Sequence, residues 1–197
     1  MRVIGGELGS RRLRAPAGRA TRPSSDRLRQ ALFDVLGPRV AAGPFLDAFA
    51  GSGAVGIEAY SRGARPVVWI EAERAAGRAL RRNLETLALP RDAAVVLERS
   101  FAAGLRAAAQ LAAVRAAGGF GVIFLDPPYA DAPRYPALLT ALAQPGLLRP
   151  AGGVILEARK GAALPAAAGA PAGAGLRLVR QHAVGGSVLA FYQAATS

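Results

Sequence analysis

Phe45-Leu-Asp47-Ala-Phe49-Ala50-Gly51-Ser52-Gly53-Ala-Val-Gly56 is the stretch on which the reading of this chain turns. An apolar run that breaks into closely spaced glycines and resumes with Val55, Ile57, Ala59 and Tyr60 reads as strand, tight turn and helix. The glycines follow the pattern G-x-G-x-x-G, and Glu71 stands 20 residues beyond Gly51, at the end of the next apolar run. Glycines in such a turn let the backbone approach a ligand. A carboxylate one strand further on can accept hydrogen bonds from both hydroxyls of an adenosine ribose. That much suits NAD and S-adenosyl-L-methionine equally. Asp47 separates them, because a carboxylate there repels a pyrophosphate but suits a ligand that presents an ammonium group.

Outward from this stretch the same pattern repeats. Ala54 to Arg62 reads as a helix and Pro66 to Glu71 as a second strand. A helix through about Leu87 follows, with Leu80, Leu84 and Leu87 on one side and Arg74, Arg78, Arg81 and Arg82 on the other, a solvated face. Ala93 to Leu97 predicts a third strand, Phe101 to Ala117 an alanine-rich helix, and Gly121 to Leu125 a fourth strand. Tyr135 to Ala143 then predicts a helix and Gly153 to Glu157 a fifth strand. After an Ala/Gly/Pro loop from Gly161 to Gly175, Leu176 to Ala183 and Val188 to Gln193 predict two closing strands. Strands alternating with helices specify an α/β fold: a doubly wound, mostly parallel, seven-stranded Rossmann-like sheet that binds ligands beyond the carboxyl ends of its strands. Trp69 is expected in the core, and His182 is expected to be structural.

The N-terminal fifth is organised differently. Arg2 to Arg14 alternates short apolar pairs with glycines, which suits a small β-hairpin, and Pro16, Gly18 and Pro23 mark a linker. From Ser24 or Ser25 as N-cap, Leu28, Ala31, Leu32, Val35 and Leu36 fall on one helical face that stops at Gly37-Pro38, with Arg27, Arg29 and Gln30 expected off that face. Residues 1–23 thus form a hairpin arm with its linker, and residues 24–197 the α/β domain.

A second motif lies at the end of the fourth strand, Asp126-Pro127-Pro128-Tyr129. Proline fixes its own φ and restricts the residue before it, so the tetrapeptide is a rigid loop. Rigidity suits one chemical task in particular. An exocyclic amine on a nucleobase is a poor nucleophile because its lone pair is delocalised into the ring. If the Asp126 carboxylate and the Pro127 carbonyl both accept its hydrogens, the nitrogen is drawn toward tetrahedral geometry and the lone pair can point at a sulfonium methyl. Tyr129 would stack on a base taken out of its helix. Positioning and electrostatics then suffice, with no metal.

Composition narrows the class. The 197 residues carry a formal net charge of +12, and Lys160 is the only lysine. Nine of the arginines lie between Met1 and Arg39 against Glu7, Asp26 and Asp34, which places half of the net charge in the first fifth of the chain. Such a basic arm is the electrostatic footprint expected for a phosphate backbone. The absence of cysteine excludes disulfides, Cys-ligated metals and a thiol nucleophile. A single histidine, His182, excludes a Ser-His-Asp triad unless it is the base. The longest uncharged stretch, Gly161 to Leu176, is broken by Pro165 and Pro171 and does not suit a membrane span, and no secretory leader is read at the N-terminus. A soluble, cytoplasmic protein is expected.

Asp47 to Ala59, together with Ser61-Arg-Gly-Ala64 and Asp126 to Tyr129, resembles the class I S-adenosylmethionine-dependent methyltransferases that act on amino nitrogens. Arg2-Val-Ile-Gly-Gly6 and Arg22-Pro-Ser-Ser-Asp-Arg27-Leu-Arg-Gln-Ala-Leu-Phe33 resemble, more narrowly, the bacterial small-subunit 16S rRNA guanine-N2 methyltransferase D family. The resemblance runs from about Arg2 to Tyr192. It implies methylation of the N2 amine of guanine 966 in a loop of 16S rRNA, on a partly assembled 30S subunit; a monomer is expected. Carried over by motif, Asp47, Phe49, Ala50, Gly51, Ser52, Gly53 and Gly56 form the cofactor loop, Glu71 holds the ribose, and Asp126, Pro127, Pro128 and Tyr129 form the amine site. Where the family shows Asn or Asp to meet the adenine, this chain reads Glu98-Arg99-Ser100, so that role passes to Glu98 or Ser100. Arg11, Arg12, Arg14, Arg22 and Arg27 are the expected RNA contacts.

Three other readings stand beside this one. An adenine-N6 methyltransferase of DNA or another RNA shares both motifs but usually carries a separate target-recognition domain. An NAD-dependent oxidoreductase leaves Asp47, the double proline and the charge unexplained. A non-catalytic RNA-binding module does not account for a cofactor loop and an amine site in one chain.

Overall fold

The computed structural model describes residues 1–15, 24–169 and 175–194. Among them the strands are β1 (Phe45–Asp47), β2 (Val67–Ile70), β3 (Ala94–Leu97), β4 (Phe120–Leu125), β5 (Leu148–Arg159), β6 (Ala167–Gly169), β7 (Gly175–Val184) and β8 (Ser187–Ala194). The helices are α1 (Ser24–Leu36), α2 (Ala54–Ser61), α3 (Arg74–Thr86), α4 (Phe101–Ala109), α5 (Ala112–Ala116) and α6 (Tyr135–Leu142). One sheet takes the order β3-β2-β1-β4-β5-β8-β7-β6. The first five of these strands run parallel to one another, and β8, β7 and β6 add in antiparallel fashion. The chain winds outward from β1 to β3 and returns to β4, so the order reverses between β1 and β4, where ligands of open α/β sheets bind.

Side-chain alternation explains the two layers of helices. Successive strand residues point to opposite faces. Phe45, Val67, Trp69, Val122 and Phe124 therefore pack with Leu32, Ile57 and Leu80 of α1, α2 and α3 on one face. Leu46, Val68, Ile70, Ile123 and Leu125 pack with Leu105, Val114 and Leu139 of α4, α5 and α6 on the other. Both faces are covered, which is why the strand sequences read as continuous apolar runs. Each such fully buried large side chain contributes about 1.5–3 kcal/mol.

The structure departs from expectation in four places. The sheet has eight strands among the described residues rather than seven, because Ala167–Gly169, within the segment read as a loop, pairs with β7. Backbone hydrogen bonding supplies what alanine's weak strand preference does not. The helix expected from Phe101 to Ala117 is split: Leu111 turns extended, with ψ 127°, and packs against the second core cluster. The N-terminal hairpin is reduced to one antiparallel bridge, Arg2 to Arg12, flanked by backbone hydrogen bonds from Val3 to Arg11 and from Leu13 to Met1. Finally, Arg29 is 2% exposed instead of lying off the apolar face. The arm covers a second side of α1 there, so the Arg29 guanidinium donates to the Arg2 carbonyl (2.7 Å) and to Asp26 (2.8 Å), while Phe33 joins the core. The expected caps Ser24 and Ser25 lie at a boundary whose side chains, like residues 16–23, fall outside the described part.

Candidate active site

Strand register brings the motifs together. Asp47 is level with Trp69 of β2 and with Phe124 of β4. Glu71 and Asp126 thus each lie two residues beyond that level, on the strands flanking β1, roughly 10 Å apart at two inter-strand spacings. β3 ends level with Ile70, so Ser100 follows on the far side of Glu71. The carboxyl ends of β1, β2 and β4 thus carry Asp47 with the loop from Phe49 to Gly53, Glu71, and Asp126 to Tyr129, while Gly56 lies within α2.

The glycine loop is held by named bonds. Ala50 N–H donates to the Ile70 carbonyl (3.1 Å) and Gly53 N–H to the Ala50 carbonyl (2.7 Å). Glu71 Oε2 accepts from Gly51 N–H (2.6 Å), and its Oε1 accepts from Glu73 N–H (2.7 Å). The three glycines do different work. At Gly51, with φ 56°, an added Cβ would meet nothing within 4 Å, so the backbone there borders open space. At Gly53, with φ 80°, a Cβ would lie 2.2 Å from Leu80 Cδ1, and at Gly56 it would lie 2.2 Å from Trp69 Nε1. At Gly53 and Gly56 the missing side chain lets the loop and α2 close onto the core, whereas at Gly51 the side that a Cβ would occupy is open. Trp69 is core, as expected, and its indole N–H donates to the Gly53 carbonyl (3.2 Å).

Asp47 is 1% exposed and accepts a hydrogen bond from Gly56 N–H at Oδ2 (2.9 Å). Burial pushes its carboxyl up from 3.8 to about 7; the Gly56 hydrogen bond partly opposes this and the nearby Glu71 charge reinforces it. Two carboxylates that repel each other across the loop form an acidic cradle. A cationic group brought beside Asp47 would restore its ionised form, whereas a pyrophosphate would meet repulsion. The residues present fit a ligand with an ammonium at one end and a ribose at the other.

On the amine side, Asp126 is exposed and Pro127 buried, and Pro128 leads with φ −50° and ψ 140° into a 3₁₀ helix, Tyr129–Arg134, closed by Asp131 N–H on the Pro128 carbonyl (2.8 Å). The side chain of Tyr129 lies outside the described part. Half-buried Phe49 stacks on Phe101, ring centroids 5.3 Å apart and planes within 10°. The glycine loop is thereby tied to the start of α4. Ser100 is exposed just before that helix and makes no capping hydrogen bond to it. Glu98 accepts from Arg81 Nε (2.6 Å).

Arg11, Arg12, Arg14 and Arg27 are all exposed. Arg12 lines a cleft of about 560 Å³ with Arg2, Ser10 and Asp26, and Arg27 lines its neighbour of about 290 Å³. Arg22 lies outside the described residues. Arg74, Arg78, Arg81 and Arg82 are exposed on α3.

Three polar residues that sequence reasoning gave no role seat the arm. Fully buried Glu58 of α2 accepts from Ile4 N–H (2.7 Å), Gly5 N–H (2.9 Å) and Arg62 Nε (2.8 Å). Ser61 Oγ accepts from Leu8 N–H (2.9 Å) and donates to the Gly5 carbonyl (2.5 Å). Asn83 of α3 accepts from Arg14 N–H (2.8 Å) and donates to the carbonyls of Arg14 and Ser52 (both 3.0 Å). The available signal was a polar residue on an otherwise apolar helix face, Glu58 beside Ile57 and Asn83 between Leu80 and Leu84.

Comparison with known proteins places this arrangement. A family described as "Conserved hypothetical protein 95" matches residues 1–193. The Bacillus subtilis (strain 168) protein YlbH is 38% identical over 169 residues, covering 86% of this chain and 88% of its own. An Escherichia coli K12 protein, ribosomal RNA small subunit methyltransferase D, is 45% identical over 87 residues, 44% of each chain. The solved structure of Escherichia coli yhhF superposes with a TM-score of 0.79 at 31% identity, over 100% of this chain and 99% of that one. The acidic glycine loop, the Asp-Pro-Pro-Tyr turn and these likenesses agree, and the chain belongs to the Conserved hypothetical protein 95 family, that of the small-subunit rRNA methyltransferase D proteins.

Proposed function

We propose that this enzyme transfers a methyl group from S-adenosyl-L-methionine to the exocyclic N2 amine of guanine 966 in 16S rRNA, acting as a cytoplasmic monomer on a partly assembled 30S subunit. The observation that carries the reading is the placement, on adjacent parallel strands, of the Asp47–Glu71 cradle and the Asp126 to Tyr129 turn at the point where strand order reverses. The relatives' names support RNA as the substrate class, as does the basic arm. When bound, S-adenosylmethionine supplies an electrophilic methyl group on a sulfonium. Asp47 takes the ammonium, Glu71 accepts from the ribose hydroxyls, Gly51 lets the ligand lie against the backbone, and Ser100 lies toward the adenine. Asp126 and the Pro127 carbonyl each accept one hydrogen of the target amine and hold its lone pair in line with the methyl. As the N–C bond forms and the C–S bond breaks, Asp126 takes the displaced amine proton and passes it to water. The prolines keep the two acceptors fixed, which is where a positioning catalyst gains its rate.

The test is transfer of labelled methyl to 30S particles lacking the modification, with naked 16S rRNA, duplex DNA and the Asp126→Ala protein alongside, and the product nucleoside identified by mass. N2-methylguanosine at position 966 of the particle RNA, lost in the variant, is the expected result. Label as N6-methyladenine in DNA overturns the substrate, and binding of NAD in place of S-adenosylmethionine overturns the reaction class.

A further inference from the structure

The single side chain of Asn83 touches both the basic arm and the glycine loop. It sits on α3 at 2% exposure, and its amide is fully engaged. Oδ1 accepts from Arg14 N–H, while the two Nδ2 hydrogens go to the carbonyls of Arg14 and Ser52. The first pair of bonds imitates a strand neighbour, grasping both main-chain groups of one arm residue. The remaining bond fixes the middle residue of Gly51-Ser52-Gly53. That loop is pinned on its other side by Glu71 at Gly51 N–H (2.6 Å), so Ser52 lies between two anchors. Upstream of Arg14 the arm has little slack, because Leu13 is buried and its N–H is bonded to the Met1 carbonyl (3.0 Å). Arg14 of the arm and Ser52 of the loop are thus held by one buried side chain.

We infer that Asn83 is a positioning residue that couples the arm to the cofactor loop, so that RNA held by the arm and cofactor held by the loop each tighten the binding of the other. This rests on the proposed function, which supplies the two ligands. Coupling between two sites is reciprocal by thermodynamic necessity, and typical values run from about 5- to 150-fold. A bridge through one buried amide belongs at the low end.

The experiment measures the dissociation constant of S-adenosylhomocysteine with and without saturating 16S rRNA, and that of the RNA with and without S-adenosylhomocysteine. Wild type and Asn83→Asp are compared. The aspartate keeps an acceptor for Arg14 N–H but turns carboxylate oxygen toward the Ser52 and Arg14 carbonyls, where Asn83 donates. Wild type should show the same gain in both directions, about fivefold or more. In the variant, whatever its affinity for each ligand alone, the ratio should fall within about twofold of one. Amide exchange in the unmutated protein gives an independent reading that stands even if the variant does not fold: S-adenosylhomocysteine alone should slow exchange at Arg14 as well as at Gly51 and Gly53. A wild-type ratio near one, a ratio that survives in Asn83→Asp, or an Arg14 amide indifferent to a ligand that protects Gly51 overturns the coupling and leaves the proposed function standing. Failure of wild type to bind S-adenosylhomocysteine or RNA alone overturns the proposed function, and the coupling with it.

Discussion

Replacing Asp47 by asparagine should make the ligand-free protein more stable at neutral pH, although the residue sits at the centre of the candidate cofactor site. Asparagine keeps an acceptor oxygen for Gly56 N–H and nearly the same volume, so the change removes mainly the ionisable group. The Asp47 carboxyl is buried and pushed up from 3.8 to about 7. The folded state therefore holds this proton more tightly than the unfolded chain does. Its contribution is full below about pH 4 and is lost as pH rises through about 7. At about 1.36 kcal/mol per pKa unit, the whole loss is of order 4 kcal/mol. For a chain of this length, about 2–4 °C of melting temperature per kcal/mol gives roughly 8–16 °C. Thermal and urea unfolding of both proteins without ligand, from pH 4 to pH 8, should show the gap opening in favour of the Asp47→Asn protein as pH rises. Adding S-adenosylhomocysteine at pH 8 should stabilise wild type more than the variant, because only the carboxylate carries a charge opposite to the ligand's ammonium. A stability difference that stays constant across that pH range would refute the reasoning, since it would show that Asp47 ionises in the fold as it does in the unfolded chain.

Gly56→Ala should destabilise by about 1–3 kcal/mol in urea unfolding, even though alanine is the better helix former, because its Cβ meets the fully buried Trp69 ring; a stabilised variant would contradict the packing role. Glu58→Ala leaves two arm amides and Arg62 without their acceptor and should cost about 3 kcal/mol. Limited proteolysis should then cut within the first fifteen residues, and an arm as resistant as in wild type would count against the latch. Arg11→Ala with Arg12→Ala should weaken RNA binding and lower its salt slope by about 2; unchanged affinity at both low and high salt would remove the arm from the RNA interface.

Much of the fold is local in origin, and so it was legible in the sequence. The alternation of Phe45 to Gly56 with the runs at Val67 and Phe120 expresses burial on both faces of a parallel sheet, which any α/β chain of this kind must write into neighbouring residues. The glycine spacing, Glu71 and Asp126 to Tyr129 were equally plain, because each is a short motif at a strand end. What the sequence left open depends on contacts between residues far apart in the chain. Arg29 looks solvent-facing on a helical wheel until the arm covers α1. Ala167–Gly169 has no strand signal of its own and pairs only because β7 offers an edge. Two of three similar glycines serve packing, a distinction set by Trp69 and Leu80. Sequence by itself determined the layer architecture and the chemical inventory at the strand ends, since periodicity and short motifs are encoded within a few residues. Only tertiary structure decided that Glu58, Ser61 and Asn83 seat the arm and that Asn83 reaches Ser52, because a buried hydrogen bond is defined by the partner that folding delivers to it, here 69 and 31 residues away.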